Sequence, residues 1–350
     1  ALSYVTNGVH YQTWTAKEWQ KLYSENFEND FLSNQSDPKF WSKIHNVDDR
    51  KIWEIRSLLR KKLIEHAKSK INRNWTIRHE NPQKILEVLN KMNDKVLTIG
   101  FARRFATYKR GTLLFKNIER LSQIVNNPKM PVQIIFAGKA HPNDGGGQDL
   151  IKRIVEVSRR PEFLGKILFL ENYDIELAKK LVQGVDIWLN TPTRPLEASG
   201  TSGMKAIMNG VMNFSVLDGW WVEGFRENAG WAVPEERIYA DQNLQDELDV
   251  ETIYRIFEDD LIPLFYERNE NNIPEKWINR IKNSIAQIAP EFTTKRMIDD
   301  YQSRFYEKLY ERSNKLKIND FELAYDISVW KKRIEKVWDK IQIESISLPD

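Results

Sequence analysis

The sequence predicts an α/β fold: a Rossmann-like parallel sheet covered by helices, with added helices at both ends. Short apolar segments alternate with helical segments over residues 95–235. These segments are largely apolar, which predicts a sheet buried on both faces. The flanking residues carry helical periodicity. We therefore divide the 350 residues, as one domain, into an entry loop and helical segment (1–94), a sheet core (95–235) and a helical tail (236–350).

The entry segment is predicted to be mainly helical. Residues 1–14 contain a polar turn (TNG), which favours a loop or a hairpin turn. Apolar residues at three- and four-residue steps, after a capping Asp48 or Asp49, predict a long helix over 48–71. Shorter helices are expected at 16–25 and around 85–89, with irregular structure at 30–47.

Strands and helices alternate through the core. Strands are predicted at 96–101, 132–137, 167–170, 185–189 and 211–217, and helices at 109–125, 148–157, 175–183 and about 202–208. Parallel sheets bind ligands beyond the carboxyl ends of their strands, so the segments that follow each strand are the candidates for function. From about residue 250 we expect amphipathic helices, the last a basic one over 329–341 packed on the domain with a solvated face.

Composition excludes several functions. Lys and Arg number 53 and Asp and Glu 50, and this net charge of +3 gives no reason to expect nucleic acid or a membrane as a partner. The chain has no cysteine, which fits a cytoplasmic location, and we predict no metal site. No apolar run approaches the roughly 20 residues of a membrane span. The chain opens within what reads as a structured loop, so we expect a fragment of a longer polypeptide.

Cations follow the first two strands. Arg103, Arg104, Lys109 and Arg110 lie within the nine positions that follow the first strand. Guanidinium forks match phosphate oxygens, and lysine adds a point charge, so this segment predicts an anion site. After the second strand come Lys139, a further phosphate contact, and His141, more often a structural loop histidine than an acid or base. The glycines at 145–147 lack a P-loop pattern and favour a flexible loop.

The loop after the fourth strand is the main candidate. Glu197 can accept hydrogen bonds from sugar hydroxyls, and Ser199, Gly200 and Thr201 follow it with little side-chain bulk. Lys205, eight residues after Glu197, can serve as a cation or as an amine for a Schiff base. After the fifth strand, residues 218–224 (DGWWVEG) form an acidic, aromatic loop that can cover a site or simply be anchored by its tryptophans.

These strings resemble the α-glucan (glycogen/starch) phosphorylases, retaining glycosyltransferases with the GT-B fold. EASGTSGMK (197–205) resembles their cofactor-lysine motif, and the support is spread over the first two-thirds of the chain: TNG, GFARRFATYKR, FAGKAHP, ENYD and NGVMNFSVLDGWWVEG. The shorter bacterial and archaeal branch is the most similar. The resemblance implies that this chain is the C-terminal, cofactor-bearing domain.

The resemblance implies a role for each matching position. Lys205 would hold pyridoxal 5′-phosphate through a Schiff base, and the cofactor's phosphate would donate a proton to the substrate phosphate. The implied partners are α-1,4-glucan (glycogen, starch or maltodextrin), inorganic phosphate and glucose 1-phosphate, and the family often forms homodimers. The remaining implied contacts are to the cofactor phosphate (Thr201, Ser202, Lys109), to substrate phosphate (Arg104, with Arg103 close to both phosphates), to the cofactor's flanks (Trp14, Tyr173) and to the glucosyl unit (Asn7, Glu197, Ser199, Gly200).

The chain departs from the family in two respects. Asp174 stands where the animal and plant enzymes have an arginine, which removes one phosphate contact. The histidine and glycine-rich loop that the N-terminal domain contributes are not in this sequence. We therefore expect weak cofactor binding and no turnover from this chain without an N-terminal domain.

Two other functions stay open at this point. A sugar-nucleotide-dependent GT-B transferase, such as a glycogen synthase, also has an Arg and Lys pair after a strand, but places an acid at the position of Lys205. A non-catalytic glucan-binding module would not need such a dense group of cations, because glucans are neutral.

Overall fold

The computed structural model describes residues 3–234, 239 and 241–344. It divides into two compact units: one runs from Thr6 to Arg296, and the other contains Val5 and the chain from Met297 onward. The predicted segment boundary at 235/236 lies outside the described residues. The division into one domain of three segments stays a prediction.

The larger unit contains a six-stranded parallel sheet of order β3-β2-β1-β4-β5-β6. Its strands are β1, Leu97–Ala102; β2, Val132–Ala137; β3, Ile167–Leu170; β4, Ile187–Asn190; β5, Met212–Val216; and β6, Trp231–Val233. β1 and β2 pair in register from Leu97 opposite Val132 to Ala102 opposite Ala137. The predicted α/β fold is confirmed, but β6 was not predicted, because three residues carry too little pattern.

The described residues of this unit form thirteen α-helices. They are α1, Tyr11–Trp14; α2, Lys17–Asn26; α3, Pro38–Ser42; α4, Asp49–Ile77; α5, Pro82–Lys91; α6, Ile118–Val125; α7, Gly145–Ser158; α8, Ile175–Gly184; α9, Ser202–Ile207; α10, Trp220–Gly224; α11, Gln242–Ile256; α12, Ile262–Tyr266; and α13, Glu275–Ile288. A π-helical turn, Phe257–Leu261, joins α11 to α12, and the short 3₁₀ turns are Lys43–Asn46, Thr107–Lys109, Leu113–Phe115 and Ala289–Phe292.

The core lies on both faces of the sheet because neighbouring strand residues point to opposite sides. Ile134 and Phe136 pack in one buried apolar cluster, whereas Ile135 and Ala137 pack in another with α4 and α8. Between them, the buried carboxylate of Asp186 accepts hydrogen bonds from Arg60, at 2.6 Å, and from the Thr98 amide, at 2.9 Å. This pairing ties α4 to the start of β1 and to β4.

Three local predictions were wrong. Residues 109–117 are not α-helical, because Arg110 has a left-handed φ of 49° and the Asn117 side chain caps a helix that begins only at Ile118. Glycines 145–147 form the first turn of α7, where Asp144 Oδ1 accepts a hydrogen bond from the Gly147 amide at 2.9 Å. Residues 30–47 contain α3 and a 3₁₀ turn. Of the loop or hairpin turn expected at 1–14, the described residues 3–8 form a loop, and Val9 bridges to Thr293.

The unit that begins at Met297 is helical. α14 spans Thr294–Tyr301 and so begins in the larger unit; a π-helical turn, Gln302–Tyr306, follows, then α15, Glu307–Val337, and a final 3₁₀ turn, Trp338–Lys340. Non-helical backbone from Ile318 to Phe321 breaks α15 into two pieces. None of the described helices has both the length and the apolar character of a membrane span.

Candidate active site

The carboxyl ends of β1 and β4 meet in the middle of the sheet, since β1 pairs with β2 on one side and with β4 on the other. In this strand order the connections leave in opposite directions at that point and open a crevice, which is where ligands bind in such sheets. The cationic segment follows β1, and the loop with Glu197 follows β4. The two segments singled out in the sequence therefore meet at this crevice.

A buried carboxylate joins these two segments. Glu197 accepts hydrogen bonds from Lys109 Nζ at 2.6 and 2.8 Å and from Arg103 Nη2 at 2.6 Å. The side chains of Glu197, Lys109 and Arg103 are only 6, 9 and 12% exposed, so the interaction is weakly screened by solvent. Lys109 and Arg103 carry two positive charges and Glu197 carries one negative charge, so the cluster has a net charge of about +1. This excess of positive charge favours the binding of a further anion.

Arg103 has unused hydrogen-bonding capacity. Its Nε and Nη1 atoms are buried, and neither has a partner among the described residues. Burial lowers the pKa of Arg103, an effect that the Glu197 carboxylate opposes. Since unpaired buried donors are costly, these N–H groups are suited to an anionic ligand.

Arg104 and Tyr173 border the same cluster. Arg104, the next residue along from Arg103, is exposed and forms no ion pair with any described residue. Burial raises the pKa of the Tyr173 hydroxyl, and the positive charge of Arg103 opposes this. Tyr173 thus faces the cluster from the end of β3.

Lys205 lies on α9 against an aromatic ring. Its Nζ is 3.8 Å from the centre of the Trp14 ring, and no described carboxylate lies within ion-pair distance. Burial lowers the pKa of the Lys205 amine, because the charged form loses hydration. Ser202 Oγ accepts a hydrogen bond from Trp188 Nε1 at 3.0 Å, whereas Thr201, which precedes α9, makes no capping bond with its side chain.

The loop from Glu197 to Gly200 is held from two sides. Asp218 Oδ2 accepts a hydrogen bond from the Glu197 amide at 2.9 Å, and the Ser199 carbonyl accepts one from the Trp220 amide at 2.8 Å. On the other side, Asn7 Nδ2 donates to Ser199 Oγ at 3.0 Å. The loop after β5 therefore supports the candidate site as well as being anchored by its tryptophans.

Gly219→Ala is expected to disturb this loop. Gly219 has φ 56° and ψ −137°, and an added Cβ would lie 2.3 Å from the Ser199 carbonyl oxygen. Alanine at this position should lower the free energy of unfolding by about 1–3 kcal/mol, measured by urea denaturation. Gly145→Ala is the matched control, since it opens α7 with no atom within 4 Å of an added Cβ. Equal stability of the two variants would contradict the close contact.

Other residues from the same segments have different roles. Arg110 turns away to pair with Asp246 and Asp249 of α11, at 2.9 and 2.7 Å, and so fixes the start of the Glu197 loop through the Thr191 and Pro192 carbonyls. His141 Nδ1 accepts a hydrogen bond from the Asn143 amide at 3.1 Å, as a structural loop histidine does.

Lys139 and Asp174 lie towards the surface. Lys139 is exposed, and its positive charge helps to lower the pKa of the Asp174 carboxyl. Asp174 caps α8 by accepting a hydrogen bond from the Leu177 amide at 2.8 Å, which, with Lys70 and Lys139, holds the pKa of its carboxyl below the usual range.

Sequence reasoning missed Arg296, Glu223 and Thr6, which contact one another or the segment of Asn7. Glu223 and Arg296 each lie more than 200 positions from Thr6 in the chain, and no local pattern predicts such pairs.

The fold and the site define a Rossmann-like domain that gathers cations, an acid and a buried amine at its switch point, a class suited to phosphate-bearing ligands. The family model described as "Carbohydrate phosphorylase" matches residues 2–247 of this chain. The chain is 44% identical to the glycogen phosphorylase of Aquifex aeolicus over 308 residues, which are 88% of this chain and 44% of that protein. It is 42% identical to the maltodextrin phosphorylase of Thermococcus litoralis over 347 residues, 99% of this chain and 40% of that protein.

The chain therefore belongs to the carbohydrate phosphorylase family, which confirms the resemblance. A third relative, the glycogen phosphorylase of Mycobacterium bovis, is 38% identical over 349 residues, 99% of this chain and 40% of the relative. The chain thus spans less than half the length of these relatives.

Proposed function

We propose that this chain is the cofactor-bearing C-terminal part of an α-glucan phosphorylase with a GT-B fold, a cytoplasmic enzyme. The proposed reaction transfers a glucosyl unit from α-1,4-glucan to inorganic phosphate with retention, giving glucose 1-phosphate. The observation that carries the proposal is the Glu197 cluster, in which Arg103 has buried N–H groups without a partner among the described residues, next to Arg104, which forms no ion pair with any of them. The names of the relatives, glycogen and maltodextrin phosphorylase, agree with it.

The residues present fit pyridoxal phosphate. An aldehyde cofactor needs a neutral amine, and burial lowers the pKa of Lys205, which has no described counter-ion. Trp14 provides an apolar face next to that amine. Thr201, Ser202 and Lys109 are the candidates to hold the cofactor's phosphate, with Tyr173 beside it. When bound, this group would supply a phosphate that exchanges a proton with the substrate phosphate.

The protein's own contribution is to bring two phosphates together. Like charges repel strongly in a water-poor crevice, and Arg103, Arg104 and Lys109 would offset that repulsion. Glu197, shared by Arg103 and Lys109, fixes the direction of both cations. Asn7, Ser199 and Gly200 would contact the glucosyl unit, with Glu197 at the buried end of that loop. Lys139, which is exposed, would attract phosphate from the surface.

Arg104→Ala tests the proposal. The assay is phosphate-dependent release of glucose 1-phosphate from maltodextrin, by this chain joined to, or mixed with, the N-terminal domain of a relative. We expect kcat/KM for phosphate to fall about 10²-fold or more, because a charge next to the reacting phosphate is lost. Thermal stability should not change, because Arg104 is exposed and forms no ion pair with a described residue.

Arg110→Ala is the matched control, since Arg110 lies in the same segment but pairs with α11. Arg110→Ala should lower the stability of the protein, and it should affect KM for phosphate less than Arg104→Ala does. The chain without an N-terminal domain should show no turnover. Sugar transfer from a nucleoside diphosphate sugar, without any dependence on phosphate, would overturn the proposal.

A further inference from the structure

The segment Thr6–Gly8 contacts the Glu197 loop and is held by residues from the far end of the larger unit. Its contact with the Glu197 loop includes a hydrogen bond from Asn7 Nδ2 to Ser199 Oγ at 3.0 Å. Asn7 is exposed, and a single hydrogen bond between two polar side chains does not order a loop. Other contacts must therefore fix its position.

Arg296 supplies two of these contacts with one guanidinium group, which a third hydrogen bond holds in place. Nη1 donates to the Thr6 carbonyl at 2.9 Å, and Nη2 donates to the Asn7 carbonyl at 3.0 Å. Nε donates to the Glu291 carbonyl at 2.6 Å, which ties the group to its own chain segment. The planar fork of arginine holds successive carbonyls in a fixed direction, which a lysine cannot do.

Glu223 holds the same segment from the other side. Its carboxylate accepts a hydrogen bond from Thr6 Oγ1, at 2.7 and 2.9 Å to its two oxygens. Glu223 lies on α10, directly after the loop that supports Glu197 through Asp218. The contact therefore links the segment Thr6–Gly8 to α10 and the loop before it, which also position Ser199.

The backbone after Thr6–Gly8 completes the attachment. The Val9 amide donates to the Phe292 carbonyl at 2.9 Å, and the Thr294 amide donates to the Val9 carbonyl at 3.0 Å. A Cβ on Gly8 would lie 2.2 Å from the Thr293 carbonyl oxygen, so the two segments are in direct backbone contact. Residues 291–296 thus support the segment Thr6–Gly8 through direct backbone contacts.

We propose that Arg296 and Glu223 are positioning residues, which hold Asn7 Nδ2 on Ser199 and so shape the part of the site that takes a neutral, hydroxyl-bearing sugar unit. We call the hydrogen bonds of Arg296 and Glu223 to Thr6 and Asn7 the clamp. The role of Asn7 in binding sugar rests on the proposed function, whereas the clamp rests only on these hydrogen bonds. The part of the chain near residue 296, which has no motif in the sequence, thereby becomes part of substrate recognition.

Hydrogen exchange tests the clamp in the complete polypeptide, with its N-terminal domain. Arg296→Ala should speed amide exchange at Gly8 and Val9 about tenfold or more, because the segment opens locally. Glu223→Ala should act in the same direction, and Glu223→Gln should largely restore protection, since its amide oxygen still accepts from Thr6. Arg120→Ala is the control, because Arg120 is a surface arginine that pairs with Glu251 and Glu258 and does not touch this segment. Unchanged exchange in both alanine variants would overturn the clamp.

A double-mutant cycle tests whether the clamp acts through Asn7. Arg296→Ala should lower kcat/KM for glucose 1-phosphate about tenfold in the synthesis direction, mainly through KM. In an Asn7→Ala background the same change should have little further effect, because the group it positions is gone. Purely additive losses would mean that Arg296 only stabilises the fold, and would overturn the positioning role.

A second pair of variants covers the case in which Arg296→Ala does not fold. Thr6→Val removes the hydroxyl that Glu223 accepts from, whereas Thr6→Ser keeps it. Thr6→Ser should keep the wild-type KM for glucose 1-phosphate and the wild-type amide exchange rates at Gly8 and Val9. Thr6→Val should raise both. If the wild-type polypeptide shows no phosphate-dependent turnover, the proposed function fails, and the exchange experiment still decides the clamp.

Discussion

Replacing Lys205 with arginine is expected to abolish covalent retention of pyridoxal phosphate and to reduce phosphorolysis by about 10⁴-fold or more, the scale of losing a group central to the chemistry. Arginine keeps the charge near Trp14 but cannot form the link to an aldehyde. The measurement is incubation with the cofactor, borohydride reduction and mapping of the labelled peptide, in the polypeptide that includes an N-terminal domain. Wild type should be labelled at 205 alone.

The labelling should depend on pH in a defined direction. The pKa of Lys205 is lowered by burial, so its amine is neutral at pH values where exposed lysines are still charged. Selectivity for Lys205 should therefore be greatest at pH values below the ordinary lysine pKa of about 10.4 and should disappear as the pH approaches that value. Because the folded-state pKa lies below the unfolded one, the unfolded chain binds more protons between the two values, and stability rises with pH in that window.

Lys139→Arg is the matched control for this experiment. Lys139 is exposed, and replacing it should leave the labelling at position 205 unchanged. Equal labelling of many lysines in the wild type, or full activity of Lys205→Arg, would exclude this residue as the cofactor's attachment point.

The sequence allowed the alternation of strands and helices to be predicted, because the strands from β1 to β5 are almost entirely buried and are therefore largely apolar. The segments after β1 and β4 could be singled out because parallel strands place their carboxyl ends at one edge. β6 has three residues, and the break at Arg110 depends on a left-handed backbone that few non-glycine residues adopt. Such features follow from tertiary contacts and not from periodicity.

The candidate site was predictable as a set of residues but not as a set of partners. Glu197 was expected to face sugar hydroxyls, whereas the structure also places it between Arg103 and Lys109. Nothing in the spacing of these residues indicates which cation pairs with which acid. The contacts of Arg296 with residues 6 and 7 bridge almost the whole unit and could only come from the fold.

Glu197→Gln should leave two buried cations without their counter-charge. Breaking a buried ion pair from one side costs about 3–5 kcal/mol, since the remaining charge stays desolvated. We expect the free energy of unfolding to fall by about 3 kcal/mol, measured by urea denaturation without phosphate. The amide oxygen of glutamine still accepts one hydrogen bond, which places the expected loss at the lower end of that range.

Phosphate should then restore stability selectively. An anion that binds only the folded state stabilises it by RT ln(1 + [L]/Kd), so an excess of positive charge makes phosphate more stabilising. Phosphate should thus raise the unfolding midpoint of Glu197→Gln more than that of wild type. Asp246→Asn is the matched control: it breaks the pair with Arg110, where the Thr191 and Pro192 carbonyls and Asp249 remain as partners. It should lose stability without any added response to phosphate, because Arg110 points away from the crevice. An equal phosphate response in all three proteins would mean that the Glu197 cluster does not bind the anion.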